Sequence, residues 1–315
     1  MMKTWRIALY GQNGHQLRGG RLAEPAASIH AVAGIAPEAL PPGTKPLLRA
    51  TLDELLADPD VDIVSLCSPV RATQADDAIR CLRAGKHVLA EKPCALSEAD
   101  LDRILEAVAQ TGMTFHEMGA FALEQPYLAM RDLVRNGSLG DVVQVLVQKS
   151  YPYHERRPQD ERIDGGLLLQ VGVHAARFVE RVAGRRIVRL LARETGCGNP
   201  GGGALKMAAA FLADLDNGGL AAGICNYLNP RAFPAWGNDH LRIFGTRGFV
   251  ECTDGGEKTR MVLNDKDCGP IDISAPAPEP LAVFLQSLTD PGVIGMSLEE
   301  ELHPLRMLLI GKAQA

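Results

Sequence analysis

Over the first 120 residues, short apolar runs alternate with stretches of helical period. The runs at 6–10, 29–35, 61–67, 87–90 and 113–118 have the length and apolar content of buried strands. Helices with readable ends lie between them. Thr51 is placed to cap "LDELLAD", "TQADDAIRCLRAG" stops at Gly85, and Ser97 with Asp100 forms a variant of the capping box. Leu101, Ile104, Leu105 and Val108 then follow at i, i+3, i+4 and i+7 before Gly112. Strands alternating with helices predict a doubly wound α/β Rossmann domain over residues 1–120.

The pattern changes after Phe121. Pro126 opens a helix that ends at Gly137, and "DVVQVLVQKSY" alternates as an antiparallel strand does. More strand-like stretches follow at 187–194, 206–214, 219–227, 240–244 and 261–264, with one helix near 166–183 between them. The final "SLEEELHPLRMLLIGKAQA" reads as helix, with a kink or break expected at Pro304. Residues 121–315 are therefore expected to form an α+β oligomerisation domain with a large open, mainly antiparallel sheet. Such an open face calls for a cover, and a second copy of the chain, in a homodimer or homotetramer, is the expected one.

Composition narrows the classes. A net charge of −5 lacks the basic footprint of a nucleic-acid binder. No window carries the roughly 20 apolar residues of a membrane helix, and "MMKTWRIALYG" reads as a first strand rather than a secretion signal. The seven cysteines form no C-x-x-C pair and are odd in number, which argues for reduced thiols in a cytoplasm and against a zinc site or disulfide framework.

The first chemical signal is "YGQNGHQLRGG", a glycine turn after strand one that would let main-chain amides and a helix N-terminus approach a pyrophosphate. Against G-x-G-x-x-G, Gly11 fits the first position, Asn13 holds the second, Gln16 holds the third, and Gly14 is additional. Strand two ends at Gly34, where an acid would hold an adenosine ribose. The turn argues for a nucleotide and leaves open whether it is NAD or NADP.

"DVDIVSLCSPVRATQADDAIRCLRAGKHVLAEKPCALSEAD" resembles the most characteristic block of the glucose-fructose oxidoreductase / inositol dehydrogenase / rhizopine catabolism (Gfo/Idh/MocA) family. "GGLLLQVGVHAARF" is similar to the family's G-G-x-L-x-D-x-G-x-H helix, and "LRIFGTRGFVE" to its G-T-x-G turn. The resemblance implies that Ser68, Pro69, Glu91 and Lys92 join Gly11, Asn13, Gly14 and Gly34 around the cofactor. It also implies that Lys92 contacts the reacting hydroxyl and that His174 is the catalytic imidazole. Independently, Gln170, His174, Arg177 and Arg181 form one polar stripe at i, i+4, i+7 and i+11. The family's usual Asp is replaced by Gln170, which can orient but supplies no charge to an imidazolium. Thr73 stands where many members have a His.

The expected activity is hydride transfer between NAD or NADP and a secondary alcohol of a sugar, cyclitol or polyol, with Lys92, His174 and Gln170 as catalytic residues and no metal. Either Lys92 or His174 could take the proton. The alternatives are a sensor that binds NAD(P) without turnover and an NAD-dependent glycosidase. In the second domain, expected to bind the substrate, the charged loop "KSYPYHERRPQDERID" carries Lys149, Tyr153, His154, Arg156, Arg157 and Arg162, which suit either an acidic sugar or a charged surface loop balanced by its own Asp and Glu residues, and Tyr227, Arg231, Trp236 and His240 form a second candidate wall.

Overall fold

The computed structural model describes residues 4–17, 26–40 and 44–314. The chain divides into two compact units. The first comprises Met1–Ala122, Arg162–Asp164 and Pro278–Leu302; the second comprises Leu123–Glu161, Gly165–Ala277 and His303–Ala315.

In the first unit the chain runs β1 (Trp5–Tyr10), β2 (Ala27–Ala33), β3 (Leu47–Arg49), α1 (Leu52–Leu56), β4 (Ile63–Leu66), α2 (Gln74–Arg83), β5 (His87–Ala90), α3 (Glu98–Thr111) and β6 (Phe115–Glu117). Every strand pair is parallel, in the order β3-β2-β1-β4-β5-β6. The helix ends are set by local chemistry. Thr51 is extended and its side chain accepts from Glu54 N at 3.2 Å. Ser97 accepts from Asp100 N at 3.1 Å, and Gly112 ends α3 at φ +67°. One part of the core comes from far along the chain. Leu281, Phe284 and Leu285 of a later helix (Pro280–Ser287) cluster with Ile7, Leu9, Val32, Ile63 and Leu89. Each such buried side chain contributes about 1.5–3 kcal/mol of burial free energy.

The chain continues with α4 (Tyr127–Arg135), β7 (Val142–Ser150), α5 (Glu161–Asp164, of which residues 162–164 belong to the first unit), α6 (Gly166–Gln170), α7 (Gly172–Arg177), β8 (Ile187–Thr195), β9 (Ala208–Leu215), β10 (Leu220–Asn226), β11 (His240–Gly245), β12 (Gly248–Thr253), β13 (Lys258–Leu263) and β14 (Lys266–Gly269). The sheet order is β14-β13-β12-β11-β7-β10-β9-β8. β7 and β10 pair in parallel and the other neighbours are antiparallel. One face is buried, with α6 and α7 packed against β10. On the other face, register aligns Leu191, Leu212, Ala222, Leu146 and Arg242 in one row. Leu146, Leu191, Leu212, Leu220 and Ile224 are each at least 40 % exposed.

The expected helix near 166–183 is three pieces. α6 and α7 part at Val171, and residues Phe178–Val182 form a π-helical turn. Of the kink or break expected at Pro304, the break does not occur. α8 (Pro280–Ser287) is followed by α9, which runs unbroken from Leu298 to Ala313. Pro304 removes one hydrogen-bond donor there, but its neighbours His303 and Leu305 are buried, and their packing holds the helix together. No helix among the described residues is long and apolar enough to cross a membrane. None of the seven cysteines, all among the described residues, is in a disulfide.

Candidate functional site

The glycine turn lies where the strand order changes direction, with β2 on one side of β1 and β4 on the other. In such sheets, ligands bind outside the carboxyl ends of the strands at that switch. Gly11 N donates to Ala33 O at 2.9 Å and Cys67 N donates to Tyr10 O at 2.8 Å, so the turn is held between β2 and β4. Gly11 has φ +69°, and a Cβ there would lie 2.1 Å from the Cys67 carbonyl oxygen. Gly14, at φ +129°, would put a Cβ 2.5 Å from Glu91 Cγ. Gly34 follows β2 directly and has 3.6 Å of clearance to Gly11. The two glycines of the turn and the bare end of β2 fit a dinucleotide, and Gly34 puts no carboxylate against a 2′-phosphate. The helix expected after the turn falls partly at 18–25, outside the described residues.

Side chains replace what the missing glycines would do. The Gln16 amide donates to Gly11 O at 3.0 Å and Ser65 O at 3.2 Å, while its oxygen accepts from Leu17 N at 2.9 Å. Asn13 donates to Pro69 O at 3.2 Å and to Ile163 O at 2.5 Å, and its own carbonyl accepts from Arg71 Nη2 at 2.5 Å. Asn13 and Pro69 are thus brought together. Ser68 Oγ donates to Asp77 at 2.8 Å, which engages that hydroxyl within the protein.

Glu91 and Lys92 follow β5, and both are buried. Glu91 accepts from His15 N at 2.9 Å and approaches His15 Nδ1 at 3.1 Å; its other near charge is Lys92 Nζ, at 3.8 Å. Burial pushes the Glu91 carboxyl up. The His15 hydrogen bond and the charges of Lys92, His15 and Arg71 outweigh it and hold the group at about 2. Gln74 supports the same corner by donating to Glu91 O and to Pro93 O at 3.1 Å. A single carboxylate therefore fastens the glycine turn on one side and sits beside the lysine on the other.

In the second unit, the α6–α7 segment that carries Gln170 and His174 lies close to β10 because Gly172 has no side chain. A Cβ there would meet Leu168 Cδ1 at 3.2 Å and Cys225 Sγ at 3.5 Å. Tyr227, just past β10, donates from Oη to Gln170 Oε1 at 2.9 Å, and the Arg157 guanidinium lies 3.5 Å from the Tyr227 ring centroid. Gln170 is thereby oriented through its oxygen. His174 is half-buried on α7.

Other sequence expectations change. Lys149 is not offered to a ligand from a loop: it is a buried β7 residue paired with Asp239, which also accepts from Tyr127 Oη at 3.3 Å. Arg177 is buried rather than part of a wet stripe. Sequence reasoning missed Arg71 and Gln74, both fully buried directly after the β4 turn. The polar run "RATQ" at the end of a buried strand was the available signal.

Residues 26–118 match the model of the oxidoreductase family with NAD-binding Rossmann fold, and residues 127–251 match that of the GFO/IDH/MocA C-terminal domain. Over 139 residues the chain is 39% identical to a dTDP-3,4-didehydro-2,6-dideoxy-alpha-D-glucose 3-reductase of Streptomyces violaceoruber, a match covering 43% of this chain and 40% of the reductase. It is 24% identical over 221 residues to a myo-inositol 2-dehydrogenase of Thermotoga maritima, covering 68% and 62% of the two chains. Each match thus spans less than two thirds of the relative. An aldose-aldose oxidoreductase of Caulobacter crescentus, solved with glycerol, shares the fold at TM-score 0.78 and 20% identity over 99% of this chain and 98% of that one. The two matched models and the paired domains they describe establish that the chain belongs to the Gfo/Idh/MocA oxidoreductase family.

Proposed function

We propose that the protein is an NAD- or NADP-dependent oxidoreductase that transfers a hydride between the cofactor and a secondary alcohol of a sugar, cyclitol or related polyol. The observation that carries this reading is the shared carboxylate of Glu91, which ties the glycine turn to a buried lysine. When bound, the nicotinamide supplies the hydride acceptor or donor. Lys92 donates a hydrogen bond to the reacting oxygen and stabilises its developing negative charge. His174 takes or returns the hydroxyl proton. Gln170, oriented by Tyr227, presents its amide to His174 or to a substrate hydroxyl. The first domain binds the cofactor, and the second binds substrate and assembles the oligomer. The cytoplasm is the proposed compartment, consistent with seven cysteines outside any disulfide.

Incubation with NAD and NADP and a panel of polyols, followed by nicotinamide absorbance, tests the assignment. The expected result is reduction by at least one polyol. Cofactor binding without reduction across the panel would instead indicate a sensor, and glycoside cleavage without net reduction a glycosidase.

Because Gly34 leaves the ribose position bare, discrimination between NAD and NADP is expected to stay below about 100-fold, roughly 2.7 kcal/mol. Gly34→Asp should shift preference to NAD, since Asp tolerates the left-handed backbone and its carboxylate repels a 2′-phosphate. Titration of both cofactors into both proteins checks this; a strong native preference for NAD would contradict it.

The exposed row of Leu146, Leu191 and Leu212 supports a dimer or tetramer closed through this sheet face. Specific interfaces bury on the order of 1,600 Å². Light scattering should find an oligomer at micromolar concentration and a monomer after Leu212→Glu; a native monomer would contradict the assignment.

A further inference from the structure

Lys92 lies in a stretch whose main chain is held from several sides. Glu91 N donates to Leu66 O at 2.8 Å, and Gln74 donates to the carbonyl oxygens of Glu91 and Pro93. Pro93 has no amide hydrogen, so Cys94 N is the first main-chain donor after Lys92. It donates to Glu117 Oε1 at 2.6 Å. Glu117 ends β6, and sheet register pairs it with Ala90, the last residue of β5. Met118 N, donating to Ala90 O at 2.7 Å, closes that ladder.

Glu117 is itself held by the first turn of α9. Its amide donates to Glu301 Oε1 at 2.9 Å, and the other oxygen of Glu301 lies 2.6 Å from His116 Nδ1. The His116 ring packs against Phe121 and Phe284, with centroids 5.2 and 6.0 Å away. Glu117 and Glu301 are each no more than 1% exposed. Burying two carboxylates this close together is unfavourable, and a neutral oxygen would accept from Cys94 N with far less desolvation. What the carboxylate adds is definition: a charge-assisted hydrogen bond is shorter and roughly twice as strong as a neutral one. Arrangements that break a burial rule in this way belong to functional sites more than to cores.

We infer that Glu117 is a positioning residue for Lys92: its carboxylate anchors the Cys94 amide, and this anchor sets where Lys92 Nζ meets the reacting oxygen. Glu301 and His116 hold the anchor in place. The residue before Lys92 is tied through its carboxylate to the glycine turn, and the second residue after it is tied to β6. Both sides of the lysine are thus fixed to buried carboxylates. A misplacement of about 1 Å at a reacting group can lower a rate by about 10²-fold, so a tie two residues away is close enough to matter. The inference rests on the assignment of Lys92 to the reacting oxygen and adds the group that aims it.

Steady-state kinetics of Glu117→Ala, Glu117→Gln and Lys92→Ala, in the full chain and on the polyol that the cofactor panel identifies, test it. Glu117→Ala should lower kcat by about 10- to 100-fold, while KM and dinucleotide affinity change little. Glu117→Gln keeps an oxygen within reach of Cys94 N and should retain most of the native turnover. In a Lys92→Ala background Glu117→Ala should have almost no further effect, because a residue that acts through the lysine has nothing left to aim. Losses that multiply would show a general contribution to the fold and overturn the inference. A second readout needs neither turnover nor the alanine variant. The Cys94 amide proton should resonate well downfield in native protein, as a short bond to a carboxylate requires, and move upfield in Glu117→Gln; an unchanged resonance would overturn the contact on which the inference stands. If Lys92→Ala is inactive while Glu117→Ala keeps native kcat, this inference fails and the oxidoreductase reading stands. Full turnover in Lys92→Ala would remove the role of Lys92 and this inference together.

Discussion

Replacing Lys92 or His174 by alanine is expected to lower kcat by about 10²–10⁴-fold, the usual range for acid–base groups, and to leave dinucleotide affinity near native. In the proposed mechanism both side chains act on charge that develops in the transition state, so turnover should fall more than substrate affinity. If the two serve one proton transfer, as proposed, the double variant should lose far less than the product of the single losses. Gln170→Asp adds a direction. A carboxylate beside His174 favours imidazolium and should move the acidic limb of the oxidation profile to higher pH. Steady-state kinetics on an identified substrate decides the matter. Near-native turnover in His174→Ala would return that helix to a structural role.

Glu91→Gln is expected to cost about 3 kcal/mol of stability at neutral pH. The carboxyl is held at about 2 in the folded protein, against an ordinary 4.5. One unit corresponds to roughly 1.4 kcal/mol. With the folded value depressed, the contribution is fully present above about pH 4.5 and is lost as pH falls towards 2. Denaturant unfolding should therefore show native protein losing stability through that window more steeply than the variant. The glycine turn, no longer fastened through His15 N by an ionised carboxylate, should also bind dinucleotide more weakly. Equal stability of the two proteins at pH 7 would show that the Glu91 charge is not stabilising.

The first unit was largely legible because its information is local. The apolar runs ending at Tyr10, Leu66 and Ala90 gave the strands, and Thr51, Ser97 and Gly112 marked the helix ends. β3 and β14 span three and four residues, too short for a period to show. The contribution of Leu281, Phe284 and Leu285 to the first unit's core is a long-range contact that no local pattern encodes. Nor does alternation along β7 and β10 specify that they pair in parallel.

The candidate site divides in the same way. Gly11, Gly14 and Glu91 stood out as residue types at turns and strand ends, whereas their partners did not. That Gln16 braces the turn, that Asn13 reaches Ile163, and that Lys149 is spent on Asp239 all depend on residues brought together from distant positions. Tyr227 could be named from sequence only as a possible wall; its hydrogen bond to Gln170 gives it a task.

The central claim is hydride transfer, and isotope transfer measures it directly. Enzyme is mixed with excess dinucleotide carrying deuterium at the transferable C4 position in its reduced form, together with a candidate ketone of a sugar or cyclitol, and the product is analysed by mass spectrometry. The account predicts one deuterium on the new carbinol carbon, with labelling abolished or severely slowed in Lys92→Ala and His174→Ala. Product formed without label, or labelling equally fast in both variants, would contradict it.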